Sequence, residues 1–190
     1  MECAEAESLA QMEVAMPMFN LGFKCEPPGA GEGAIRQEIV GDLAAEALFG
    51  ESSALYLRLY EQGFIDSSFG GGFETIDGMA MLLCSGDSDD PEAIREAILK
   101  QAETIAREGI ADAAFRRMKR SAMGRRIRDL DSFDSTCFRL CAYELSEFDY
   151  FRFPAVYETI EKEEIQEFLH RVVRTERCSL SVIEPPEEVI

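Results

Sequence analysis

Apolar residues alternate unevenly along residues 14–25, through Met16, Met18, Phe19, Leu21 and Phe23. A period near two marks a half-buried strand, and Pro17 suits its start or edge. Residues 27–31, Pro-Pro-Gly-Ala-Gly, break that pattern. Ile35, Ile39, Leu43, Ala47 and Leu48 then recur at helical spacing, predicting a helix over 32–49 that Gly50 stops. A shorter helix fits 52–62, with Leu55, Tyr56 and Leu59 inward and Gly63 closing it.

Two further strands, 64–76 and 79–84, flank Asp77-Gly78, a dipeptide that favours a tight hairpin turn. Asp90 is placed to cap the next helix, with Pro91 at its first position and Gly109 at its end. Ile94, Ala97, Ile98 and Ile105 form its buried stripe. Helices are also expected over 112–128, 132–146 and 163–173, and a last strand over 178–183. The order is strand, helix pair, hairpin, several helices, strand. It predicts an α/β (α+β) chain built as a two-layer sandwich, with a mixed, mostly antiparallel sheet and helices on one face. Residues 14–186 form the expected domain, after a flexible leader at 1–13 and before a short tail at 187–190.

At 190 residues, 46% of them hydrophobic, the chain is long enough to bury one sizeable core. Charge narrows the functions: 19 basic against 37 acidic groups leave a net of −18. Such a surface repels phosphate backbones and anionic lipid, which argues against nucleic-acid and membrane partners. No run of about 18 apolar residues is present to span a bilayer, and the acidic N-terminus lacks the pattern of a signal peptide. Cysteines at 3, 25, 84, 137, 141 and 178 form no CxxC. Their scatter suits reduced, buried thiols in a cytoplasmic protein.

Candidate chemistry is sparse. His170 is the single histidine, so neither HExxH nor HxxEH can be written. No metal ligands are assigned to this chain, and His170 reads as an ordinary helix residue. No Ser-His-Asp set can be argued, and nothing local supports a Cys-His pair. Cys137 and Cys141 stand four apart beside Phe138, Leu140 and Leu145, which predicts buried free thiols rather than half a metal site. Gly70, Gly71 and Gly72 interrupt strand pattern without the Lys-Ser/Thr of a phosphate loop. They predict a bulge or a close backbone approach, with an edge open to an extended peptide as the sharper alternative. Residues 116–128 concentrate seven of the 19 basic groups. A solvated face that neutralises acidic neighbours is the expectation there, and an acidic docking partner the alternative.

Several stretches together resemble the insulinase/pitrilysin/processing-peptidase clan, the inverzincins, in the C-terminal half of its bacterial members. They are MPMFNLGFK from Met16, ESSALYLRLYEQGFIDSSF from Glu51, DPEAIREAI from Asp90, EGIADAAFRRMKRSAMGRRIRDLDS from Glu108 and CSLSVIEPPE from Cys178. The resemblance implies a metallohydrolase-like half of the processing-peptidase type. Zinc and HxxEH would lie in a separate N-terminal catalytic half or homologous subunit, and this half would help enclose an extended peptide substrate. A proteolytically inactive homologue used for peptide binding or assembly is the alternative. Clan members carry an Arg and a Tyr that reach the substrate; here those positions fall on Tyr60 and Asp66, with Arg58 just ahead as a candidate substitute. The substrate-binding expectations are therefore Arg58, Tyr60, Asp66, Gly70, Gly71 and Gly72, with no catalytic residue in this chain.

Overall fold

A computed structural model describes residues 2–76 and 78–186. Five strands form one sheet: β1 (Glu7–Gln11), β2 (Met18–Lys24), β3 (Gly70–Ile76), β4 (Met79–Asp87) and β5 (Cys178–Glu184). Their spatial order is β1-β5-β2-β4-β3, so β1 and β3 are the edges. β1 runs parallel to β5, and the other three pairings are antiparallel. The α+β architecture with a mixed sheet is thus as the sequence predicts. Asp77 and the 187–190 tail lie outside the described residues; Ile76 pairs with Met79 across the hairpin.

Strand alternation explains the layering. Phe19, Leu21 and Phe23 of β2 turn to the helices, as do Ala80, Leu82 and Cys84 of β4, while Met18, Asn20 and Lys24 are exposed on the other face. Among the described residues seven α-helices accompany the sheet: α1 (Gly31–Phe49), α2 (Ala54–Glu61), α3 (Pro91–Glu108), α4 (Asp112–Asp129), α5 (Phe133–Leu145), α6 (Phe153–Glu158) and α7 (Lys162–Val172). Helix α3 starts where Asp90 accepts a hydrogen bond from the Ala93 amide at 3.0 Å, and it stops at Gly109, whose φ of +85° favours glycine. A reciprocal capping box between Glu161 and Glu164 opens α7. Ile94 and Ile98 of α3 and Ile165, Leu169 and Val172 of α7 have no exposed surface at all.

Helix α1 lies close against the edge strand β3. A Cβ on Gly41 would come within 2.3 Å of the Phe73 ring, so the missing side chain is what lets the helix approach. No described helix is long and apolar enough to cross a membrane.

Several expectations need correcting. The segment read as a leader contributes β1, whose five residues are all exposed and carry no alternation to betray a strand. The strand expected over 64–76 starts only at Gly70, because the chain turns at 66–69, where the Ser68 amide donates to the Asp66 carboxylate and the Phe69 amide to the Asp66 carbonyl. Helix α6, with Pro154 in its first turn, went unsignalled in an aromatic-rich stretch. The glycine bulge is absent: Gly70, Gly71 and Gly72 pair one-for-one with Ser85, Cys84 and Leu83. Close approach holds at Gly71, where a Cβ would meet Phe49 at 2.5 Å. Cys25, Cys84 and Cys178 are buried as expected, but Cys137 and Cys141 are exposed. Helix α5 buries only Tyr143 and leaves Phe138 and Leu145 74% and 86% exposed.

Candidate functional site

Beside the edge strand β3 lies a cleft of about 1220 Å³. One wall is α1, the floor is β3, and the far wall is built by α4, α5 and α6. Gly70, Gly71, Gly72, Phe73 and Thr75 line it from the strand. A Cβ at Gly71 would point toward α1 and meet Phe49, whereas one at Gly70 or Gly72 would point to the opposite, open face of the sheet and meet nothing within 4 Å.

The two helical walls carry opposite charge. Glu38, Asp42 and Glu46 recur every four residues on α1 and therefore share one face. Opposite them stand Arg125, Arg126 and Arg128 of α4 and Arg139 of α5. Arg126 pairs with Glu38 at 2.6 Å and also donates to the Tyr143 hydroxyl. That hydroxyl in turn donates to Glu38 at 2.9 Å. The Arg126 guanidinium sits 3.7 Å from the centre of the Phe153 ring, a cation–π contact. Arg125 pairs with Glu46 at 2.9 Å, and Arg139 with Asp129 at 2.7 Å. The expected solvated, acid-neutralising face of α4 is therefore partly an inter-helix clamp. Lys119 extends it by donating to the Glu158 and Ile160 carbonyls at the end of α6.

Burial pushes the Tyr143 hydroxyl up, reinforced by the Glu38 charge. Asp42 is crowded by the cleft walls although water reaches its carboxylate. That crowding, and then the nearby Glu38, push its carboxyl up to about 7.

Of the six residues expected to bind substrate, the three glycines line this cleft and the other three do not. Tyr60 is half-exposed and stacked on Tyr56, with ring centres 5.9 Å apart. Arg58 is exposed on the same helix. Asp66 accepts a 2.7 Å hydrogen bond from the Ser68 amide, and the Ser68 hydroxyl, then that amide, hold its carboxyl below the usual carboxylate range. Sequence reasoning missed the α1 acids and Tyr143. The four-residue recurrence of Glu38, Asp42 and Glu46, facing a basic run elsewhere, was the available signal.

Zinc does not fit these residues. Asp42 and Glu46 have the i, i+4 spacing of a helical metal motif, but guanidiniums face their wall. His170 is exposed, with Nε2 3.0 Å from an Arg174 guanidinium nitrogen. Among the described residues no three His, Cys, Asp or Glu converge on a point where a metal could sit.

Comparison with known proteins identifies the fold and the family. Zinc protease YmfH of Bacillus subtilis (strain 168), itself uncharacterised, is 28% identical over 184 residues, covering 94% of this chain and 42% of that protein. The chain thus spans less than half the length of this curated relative. A candidate M16-like peptidase from Alicyclobacillus acidocaldarius superimposes with a TM-score of 0.89 at 23% identity, over 97% of this chain and 44% of that one. The inactive peptidase domain of a candidate zinc protease from Bordetella parapertussis gives 0.75 at 12% identity, over 95% and 96%. A peptidase M16 inactive domain from Pseudomonas fluorescens gives 0.71 at 10% identity, over 98% and 45%. These structural likenesses carry the fold alone. The sequence family described as the peptidase M16 inactive domain matches residues 5–122, well over half of the chain. This chain therefore belongs to the peptidase M16 inactive domain family.

Proposed function

We propose that this chain is the zinc-free half of a zinc metallopeptidase and that its cleft helps enclose an extended peptide for a separate catalytic half. The observation that carries this reading is the uncovered edge of β3 running along a cleft of about 1220 Å³. An edge strand offers unpaired backbone N–H and C=O groups, and a peptide added there gains main-chain hydrogen bonds. Zinc and the hydrolytic step belong to the other half, because the donor set here does not fit the metal. This chain orients and shields the peptide and moves no proton in the reaction. Relatives more than twice as long support a companion half. The scattered free thiols favour action in a reducing, cytoplasmic setting, and the bacterial relatives favour a bacterial source.

Amide hydrogen exchange tests the peptide role. Adding an extended peptide to this chain is expected to protect β3 amides while those of β1, at the opposite edge, exchange as before. Unchanged exchange across β3 would sink it. Hydrolysis by the longer polypeptide, abolished by a chelator, is the expected companion result. A second reading, a proteolytically inert binding or assembly module, draws on the absence of Tyr60 and Asp66 from the cleft lining. Protected β3 amides without any hydrolysis by the longer polypeptide would favour it.

A further inference from the structure

Three of the four guanidiniums lining the cleft are engaged within the chain: Arg125 with Glu46, Arg126 with Glu38, Arg139 with Asp129. Arg128 is different. It lines the cleft, is exposed, and forms no ion pair within 4.0 Å among the described residues. Phe138 also lines the cleft and has 74% of its surface in water, leaving an apolar ring for a ligand to cover. On the α1 wall, crowding and then the Glu38 charge push the Asp42 carboxyl up to about 7, which reduces the charge of that wall near neutral pH.

We propose that the cleft prefers an extended peptide with one carboxylate side chain, which pairs with Arg128, beside an apolar side chain that covers Phe138. This rests on the peptide-enclosing reading above and adds the class of peptide. A guanidinium presents a planar fork of donors that matches a carboxylate in two parallel hydrogen bonds. The net charge of −18 opposes approach of a polyanion, so a single acidic residue among apolar and neutral ones is the favoured ligand. The pair is solvent-exposed, and its advantage is correspondingly modest, about twofold to fivefold in affinity.

The test is a positional scan on the 190-residue chain. Fluorescein-labelled decapeptides of Val, Thr and Leu carry a single Glu moved through the sequence, each paired with its Gln counterpart, and affinities are read by anisotropy. At one or two adjacent positions the Glu peptide should bind about two- to fivefold tighter than the Gln peptide. Arg128→Ala should erase that advantage, Arg128→Lys should keep part of it, and the Gln peptides should bind all three proteins alike. Far-ultraviolet circular dichroism checks that the variants fold. Peptide binding with no Glu advantage at any position, or an advantage that survives Arg128→Ala, overturns the inference and leaves the enclosing role standing. Failure of every peptide to bind overturns both.

Discussion

Helices α3 and α5 have apolar stripes of the same spacing and opposite fates. In α3, Ile94, Ile98, Ala102 and Ile105 are buried within the layer that also holds α7. In α5, Phe133, Cys137, Cys141 and Leu145 stand every four residues and all are exposed, while Tyr143 on another face is buried. Periodicity says that a helix has an apolar stripe. It does not say that the stripe points inward. Helix α3 is held by a full buried stripe; α4 and α5 bury only Met118 and Tyr143 and add ion pairs, the Tyr143 hydroxyl and the Arg126 cation–π contact as links to α1 and α6.

That contrast can be broken by experiment. The largest effect belongs to Ile98→Ala, which empties a fully buried site and should cost about 2–5 kcal/mol in urea unfolding. A loss below about 1 kcal/mol would mean that α3 is not the dry layer described. Next comes Arg126→Ala. It strands Glu38 and Tyr143 without their cation and should cost about 1.5–3 kcal/mol, the range of hydrogen bonds to charged groups. Amide exchange should rise in α4 and α5 and not in α3; a uniform rise would erase the distinction between the two regions.

A smaller effect, and a signed one, belongs to Asp42→Asn. The Asp42 carboxyl is raised from 3.8 to about 7, so the folded state holds its proton more tightly than the unfolded chain. Its stabilising contribution is full below about pH 4 and fades as pH rises through 7. The Asn variant, neutral throughout, should match the parent near pH 4 and become the more stable of the two by pH 8. Water in the cleft limits the size of the difference. Unfolding free energies that stay parallel from pH 4 to 8 would show that Asp42 is not crowded. Smallest of all is Leu145→Ser, which should change stability by no more than about 0.5 kcal/mol because its side chain already lies in solvent. A loss of core size would place α5 among the buried helices after all.

Legibility followed the strength of local signals. Helix α3 was readable almost to the residue, since Asp90, Pro91 and Gly109 punctuate a clear stripe. Strands β2, β4 and β5 showed through their alternation. β1 left no trace because both of its faces are exposed and only its pairing with β5 makes it a strand. The glycine triplet signalled something unusual at β3, but a bulge, a close approach and an open edge share one sequence signature. One-for-one pairing with β4 excludes the bulge, Gly71 makes the close approach, and the strand order places β3 at the rim. Tyr60 and Asp66, expected to bind substrate, lie outside the cleft lining: Tyr60 stacks on Tyr56 and Asp66 is held in a turn at Ser68.

By itself the sequence determined the element types other than β1 and α6, the mixed two-layer class and the lack of a metal-ligating motif, because period, capping and residue chemistry act within a few residues of chain. It also determined that charge is segregated, with a basic run set in an acidic protein. Only the tertiary structure decided that Glu38 meets Arg126 across 88 residues, that β3 is an edge, and that α5 turns its apolar stripe outward. Those outcomes depend on which surfaces come together when the whole core closes, and no local pattern carries that information.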